Sequence, residues 1–205
     1  MHGEAHSFML YVKSLFPDFF NKKNVLDVGS GDINGNNRVL FTDSTYTGND
    51  VSYGPNVTII SKTSALPFSS STFDTIVSTE CFEHDPEYAL SMKKIYDMLK
   101  PGGLFAFTCA SDGRNEHGTR RTTPNDSLAT RENVEVWSDY YLNLNLSHLK
   151  TVFDLDNDFV QYGCYQNKSP CDLYFWAIKK GGVALSKPVV EYNGYAITQL
   201  HSPNS

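Results

Sequence analysis

The sequence has no excess of positive charge. Its 17 lysines and arginines stand against 23 acidic residues, a formal net charge of −6 over 205 residues. Nucleic acid is therefore not expected as the main partner. No apolar run approaches the roughly 20 residues of a membrane span, and the N-terminus shows no basic region followed by an apolar one. Neither a membrane nor a signal peptide is expected. Cysteine is scarce: Cys81, Cys109, Cys164 and Cys171 form no C-x-x-C pair. Free thiols in a reducing cytoplasm are the expectation, with a Cys164–Cys171 pair across a hairpin as the alternative. No metal site, internal repeat or low-complexity segment is read. One absence is local. In NVLDVGSGDINGNN, residues 24–37, the third glycine of G-x-G-x-x-G is missing: after Gly29 and Gly31 the expected position holds Asn34, and Gly35 comes one residue late.

What is present suffices for one domain, placed at residues 1–180, followed by a polar tail over 181–205. Residues 5–20 carry Phe8, Leu10, Tyr11 and Leu15 at helical spacing until Pro17 disturbs the pattern, which predicts a leading helix within 1–23. NVLDVG, STYTGND, VTIIS and FDTIVSTE read as four strands. PEYALSMKKIYDMLK reads as an amphipathic helix that stops at Lys100-Pro101-Gly102-Gly103. LFAFTCA is a fifth strand, and SDYYLNLNLSHLK predicts a further helix. DFVQYGCYQN and DLYFWAIKK close the pattern as an antiparallel strand pair. Strands alternating with helices predict an α/β fold, a doubly wound, mostly parallel seven-stranded sheet with helices on both faces. Residues 110–136 lose all periodicity. A loop of that length in a compact domain is usually functional or disordered.

Ligands in such sheets bind beyond the carboxyl ends of the strands. Asp27, Gly29 and Gly31 end the first strand, and Asp50 ends the second. A buried carboxylate needs a partner, and a ligand ammonium would supply one to Asp27. An acid at Asp50 can accept both ribose hydroxyls of an adenosine.

VLDVGSGDINGN, YTGNDVS, ALPFSSSTFDTIVSTECFEH and LKPGGLFAFT follow one another as they do in the class I S-adenosylmethionine-dependent methyltransferases, which the chain resembles over about residues 24–109. The resemblance implies a Rossmann-like fold and S-adenosylmethionine as cofactor. It implies that Asp27, Gly29, Ser30 and Gly31 line the methionine part, that Asp50 holds the ribose, and that Val51 lies against adenine. Ser64, Ala65 and Leu66 would flank the adenine ring, and Thr79 and Glu80 the sulfonium end. Many relatives carry an acid about four residues before the leucine of LPF; this chain has Lys62 there. With no pyrophosphate to bind, the third glycine is not required. The asparagines from Asn34 to Asn37 have no assigned role.

Methyl transfer to a hydroxyl needs a base, and histidine is the usual one. His117, in the 110–136 loop, is the first candidate, His84 the second, His6 the third, and Glu80 is a possible functional carboxylate. Arg114, Arg120 and Arg121 make that loop basic, which suggests a small-molecule or glycan-type acceptor bearing an anion. Tyr140 and Tyr141 are candidates to wall the acceptor pocket. Two other functions stay open: a methyltransferase-like module that binds cofactor without catalysis, and an NAD(P)-dependent reductase using the Tyr96/Lys100 Y-x-x-x-K pair.

Overall fold

A computed structural model of the chain describes residues 1–182, 192 and 197–202. Most of the tail expected over 181–205 therefore lies outside the described residues. The chain opens with helix α1 (Gly3–Leu15). Its Ala5, Phe8, Met9 and Val12 recur at i, i+3, i+4 and i+7 and are all buried, so one stripe faces the core. Pro17 ends the pattern, and Pro17–Phe20 form a 3-10 turn.

Strands β1 (Asn24–Val28), β2 (Thr45–Asp50), β3 (Ile59–Ile60), β4 (Phe73–Thr79) and β5 (Leu99–Ala110) run parallel. Helix α2 (Tyr88–Met98) joins β4 to β5. The short helices α3 (Leu128–Arg131), α4 (Leu146–Val152) and α5 (Leu155–Asp158) follow β5. Strands β6 (Phe159–Asn167) and β7 (Asp172–Lys179) then close as the expected antiparallel pair. An eighth strand, β8 (Ile197–His201), pairs antiparallel with β6. It adds to the seven read from sequence, because the polar tail carries no strand periodicity. The spatial order is β3-β2-β1-β4-β5-β7-β6-β8. It reverses between β1 and β4, so the carboxyl ends of those two strands frame a crevice.

Alternation along β5 feeds two cores. Leu104 and Ala106 meet α1 with Val77 and Trp176. Phe105 and Phe107 meet Met92, Ile95, Leu149 and Phe175 on the other face. Among the described residues no helix is long and apolar enough to cross a membrane.

Two expectations are corrected. The helix predicted from Ser138 starts only at Leu146. Before it, the Leu142 and Leu144 amides donate to the Glu83 and Ala110 carbonyls, which holds that stretch against the sheet end. Asn145 then caps α4 in a capping box with His148. Asn145→Ala should lower stability by about 1 kcal/mol, read as a lower urea midpoint with unchanged slope. The Cys164–Cys171 alternative also fails: all four cysteines are free. Cys164 is opposite Phe175 in the β6/β7 register and is buried, while Cys171 sits in the connecting turn.

Candidate active site

A cavity of about 250 Å³ opens at the carboxyl ends of β1, β2 and β4. Its wall includes Gly29, Gly31, Asp50, Val51, Thr79, Glu80, His84 and His117, eight residues singled out from sequence. The 126–129 stretch closes it on one side. Leu128 lies so close that a Cβ on Gly31 would be 2.1 Å from its Cδ1, and one on Gly54 2.4 Å away. Gly31 is therefore needed for the loop's close approach. Gly29 is needed for its backbone, with φ +68°.

Asp50 is held by backbone amides. Its Oδ2 accepts from Gly31 N at 3.1 Å and its Oδ1 from Val51 N at 2.8 Å. Burial pushes its carboxyl up, and these amides oppose that rise.

Asp27 has a different setting from the one expected. It is 1% exposed and does not line the cavity. Tyr46 Oη donates to its Oδ2, and Asn37 Nδ2 donates to its Oδ1 at 3.0 Å. The same Asn37 amide reaches Thr79 Oγ1 at 3.2 Å. Asp27 thus acts on the cavity through Asn37 and Thr79. The asparagine run has its roles here. Asn37 forms that bridge, Asn36 binds Asp32 and the Arg38 amide, and Asn34 lines the cavity.

Burial pushes the Asp27 carboxyl up from 3.8 to about 6, against the hydrogen bonds from Tyr46 and Asn37. The native state then binds that proton more tightly than the unfolded chain. This contribution to stability is fully present below about pH 4 and is lost as pH rises through about 6. Asp27→Asn should flatten the fall in urea midpoint between those pH values. An unchanged pH slope would contradict burial as the cause.

Three expected adenine neighbours do not line the cavity. Ser64 donates to Glu87 at 2.5 Å, Ala65 is exposed, and Leu66 belongs to the core. Thr63 lines it instead, its hydroxyl donating to Asn49 Oδ1 at 2.9 Å. Lys62 pairs with Glu87 at 2.8 Å and lies over Trp137. Ser30 is buried and braces the loop through Asn49 and Asn56.

At the opposite end, Glu80 has φ 53°. Its Oε1 accepts from Thr108 Oγ1 at 2.8 Å, and its Oε2 lies 3.2 Å from His2 Nε2. Burial alone would raise its carboxyl; His2, Thr108 and Arg114 hold it below the usual value. His2 also reaches Asp172 at 2.9 Å, and Arg114 bonds Asp172 at 3.1 Å. His84 and His117 stand edge to face, ring centroids 5.2 Å apart, and both meet the Tyr141 ring. Burial, then His117, lowers His84 to about 4, so it is neutral near pH 7.

The basic loop is not an open arginine patch. Arg120 pairs with Asp139, and Arg121 with Glu116 and Asp139. Only Arg114 of the three lines the cavity. His6, Tyr140 and Tyr141 are not among its lining residues, and neither are Tyr96 and Lys100. Tyr96 bonds the Asp158 carbonyl, and Lys100 pairs with Asp74. His2, Asp85, Leu128 and Trp137, which do line the cavity, carried no signal in the sequence. They arrive from α1, the turn after β4 and the loop after β5.

A family model described as a methyltransferase domain matches residues 2–164. Among solved structures, the chain is similar to the Burkholderia thailandensis 1,6-didemethyltoxoflavin-N1-methyltransferase bound to 1,6-didemethyltoxoflavin and S-adenosylhomocysteine. The identity is 15% over 87% of this chain and 79% of that chain, with TM-score 0.60. A possible histamine N-methyltransferase from Thermotoga maritima matches at 15% identity over 86% and 89%, with TM-score 0.57. The Haemonchus contortus phosphoethanolamine N-methyltransferase 2 in complex with S-adenosyl-L-methionine matches at 17% identity over 86% of this chain, with TM-score 0.59. The chain spans 53% of that protein's length.

Proposed function

The chain belongs to the methyltransferase-domain family and is an S-adenosylmethionine-dependent methyltransferase, and on that premise we propose that it methylates a small-molecule or sugar-type acceptor at a hydroxyl. The observation that carries this reading is the His84–His117 imidazole pair in the cavity wall that also holds Thr79 and Glu80.

The cofactor supplies a methyl group on a sulfonium, ready for in-line displacement. The chain's own residues bind, align and exclude water, worth ~7–11 kcal/mol of barrier when alignment is good. Asp50 accepts the ribose hydroxyls, and Val51 and Thr63 flank adenine. Gly29 and Gly31, braced by Ser30, form the methionine end, and Asp27 fixes Thr79 there through Asn37. Thr79 and Glu80 border the sulfonium. His117 activates the acceptor hydroxyl, with His84 behind it. The ion pairs of Arg120 and Arg121 leave no free guanidinium fork from those two residues for an anionic acceptor, so a neutral hydroxyl compound fits better.

One observation favours a second reading. Glu80, Asp85 and Asp126 line the cavity, and carboxylates suit a cationic amine. Paired hydroxyl and amine acceptors, incubated with methyl-labelled S-adenosylmethionine, decide between them. O-methyl products are expected. Labelled N-methyl products alone would overturn the hydroxyl assignment.

A further inference from the structure

We infer that Glu83, His84 and His117 form a binding site for a divalent first-row transition cation at the acceptor end of the cavity. Glu83 and His84 belong to the 3-10 turn that follows β4. His117 comes from the loop after β5. Each offers one ligand atom, and the three atoms lie within 4.8 Å of one another. Glu83 Oε1 and His117 Nε2 are 4.0 Å apart. Metal–nitrogen and metal–oxygen bonds are about 2.0–2.2 Å long, so ligands on one ion sit roughly 3–3.5 Å apart. Small side-chain rotations close that gap. Two imidazoles and a carboxylate are the donor set of Mn, Fe, Co and Zn sites.

The second observation is an orphan. Glu83 is 0% exposed, and neither of its carboxylate oxygens has a hydrogen-bond partner. His84 Nδ1 is likewise buried and unpartnered. Buried polar groups are nearly always satisfied, and an exception asks for an explanation.

The neighbouring trio of His2, Glu80 and Asp172 is also compact. It already holds its own cations, since His2 reaches both carboxylates and Arg114 bonds Asp172. Among the described residues, Glu83 has only the His117 imidazole near it, at 4.0 Å.

Three protein ligands leave coordination positions open toward the cavity. This use rests on the hydroxyl reading above. The acceptor oxygen takes one open position, which lowers its pKa. The O–H bond breaks and the proton passes to water. An oxygen lone pair forms the new O–CH3 bond as the S–CH3 bond breaks, leaving S-adenosylhomocysteine. No group is oxidised or reduced.

The test needs no acceptor. Chelator-stripped protein is titrated with Mn²⁺ and followed by electron paramagnetic resonance. One Mn²⁺ per chain is expected, with imidazole nitrogen couplings in the echo modulation. Glu83→Gln should weaken binding by at least about 100-fold, more than loss of an outer-shell partner costs. It should leave S-adenosylhomocysteine affinity unchanged, which reports an intact fold. His117→Ala should remove one nitrogen coupling, and His2→Ala should keep the site. Failure of wild-type protein to bind Mn²⁺ or Zn²⁺ overturns the inference. So does binding that survives Glu83→Gln or is lost in His2→Ala. Mn²⁺ binding without any O-methyl product would sink the hydroxyl reading and leave the site standing. O-methylation that persists after chelation, with no Mn²⁺ bound, would do the reverse.

Discussion

Replacing His117 with alanine lowers turnover by about 10²–10⁴-fold, the usual contribution of a positioned acid–base group, and leaves affinity for S-adenosylmethionine unchanged. His117 lines the cavity and is only partly exposed. Its Nδ1 lies 3.2 Å from the Asn115 carbonyl, so it donates there in the tautomer that leaves Nε2 with a lone pair. The ring is wedged between His84 and Tyr141, which fixes its plane. Direct proton removal and ligation of a cation both require that lone pair, so both lose activation in the alanine variant. The cofactor contacts lie at the other end, at Asp50 and the glycine loop. Single-turnover rates and calorimetry on one preparation separate the two quantities. Turnover within about threefold of wild type, far inside that range, would remove His117 from the chemistry.

Asp50→Ala acts on the cofactor instead, and S-adenosylmethionine affinity should fall by about 100-fold. A hydrogen bond to a charged group contributes about 1.5–3 kcal/mol, and each 1.4 kcal/mol is tenfold in affinity. Two ribose hydroxyls donating to one carboxylate account for that loss. The variant also releases the Gly31 and Val51 amides that Asp50 now holds, so loop order is lost with the contact. Asp50→Asn keeps the shape but not the charge, and should fall between the two. Isothermal titration of all three forms reads the series. Equal affinity across it would show that the ribose lies elsewhere.

Much of this arrangement was legible in sequence for a physical reason. Strands β1 and β4 are short apolar runs buried on both faces, and α2 carries a helical stripe; it ends at Met98, and the 100–103 stretch expected to stop it already belongs to β5. Such signals are local. The lining residues Gly29, Gly31, Asp50, Thr79, Glu80, His84 and His117 stand at strand ends or in the loop above them, where the architecture puts ligands. What was not legible depends on pairings between distant segments. Asp27 meets Tyr46 only because β1 and β2 register Asp27 against Gly48. The 138–145 stretch has helical spacing, but Glu83 and Ala110 claim its amides. Arg120 and Arg121 look like a free basic patch until Asp139 folds back beside them. Leu128 and His2 reach the cavity from segments whose local patterns are ordinary.

A crystal structure with S-adenosylhomocysteine and a hydroxyl acceptor tests the central claim most directly. The account predicts both molecules in the cavity, with the ribose hydroxyls on Asp50, the sulfur beside Thr79 and Glu80, and the acceptor oxygen facing His84 and His117. Cofactor bound with its ribose away from Asp50, or an acceptor seated away from the two histidines, would contradict it.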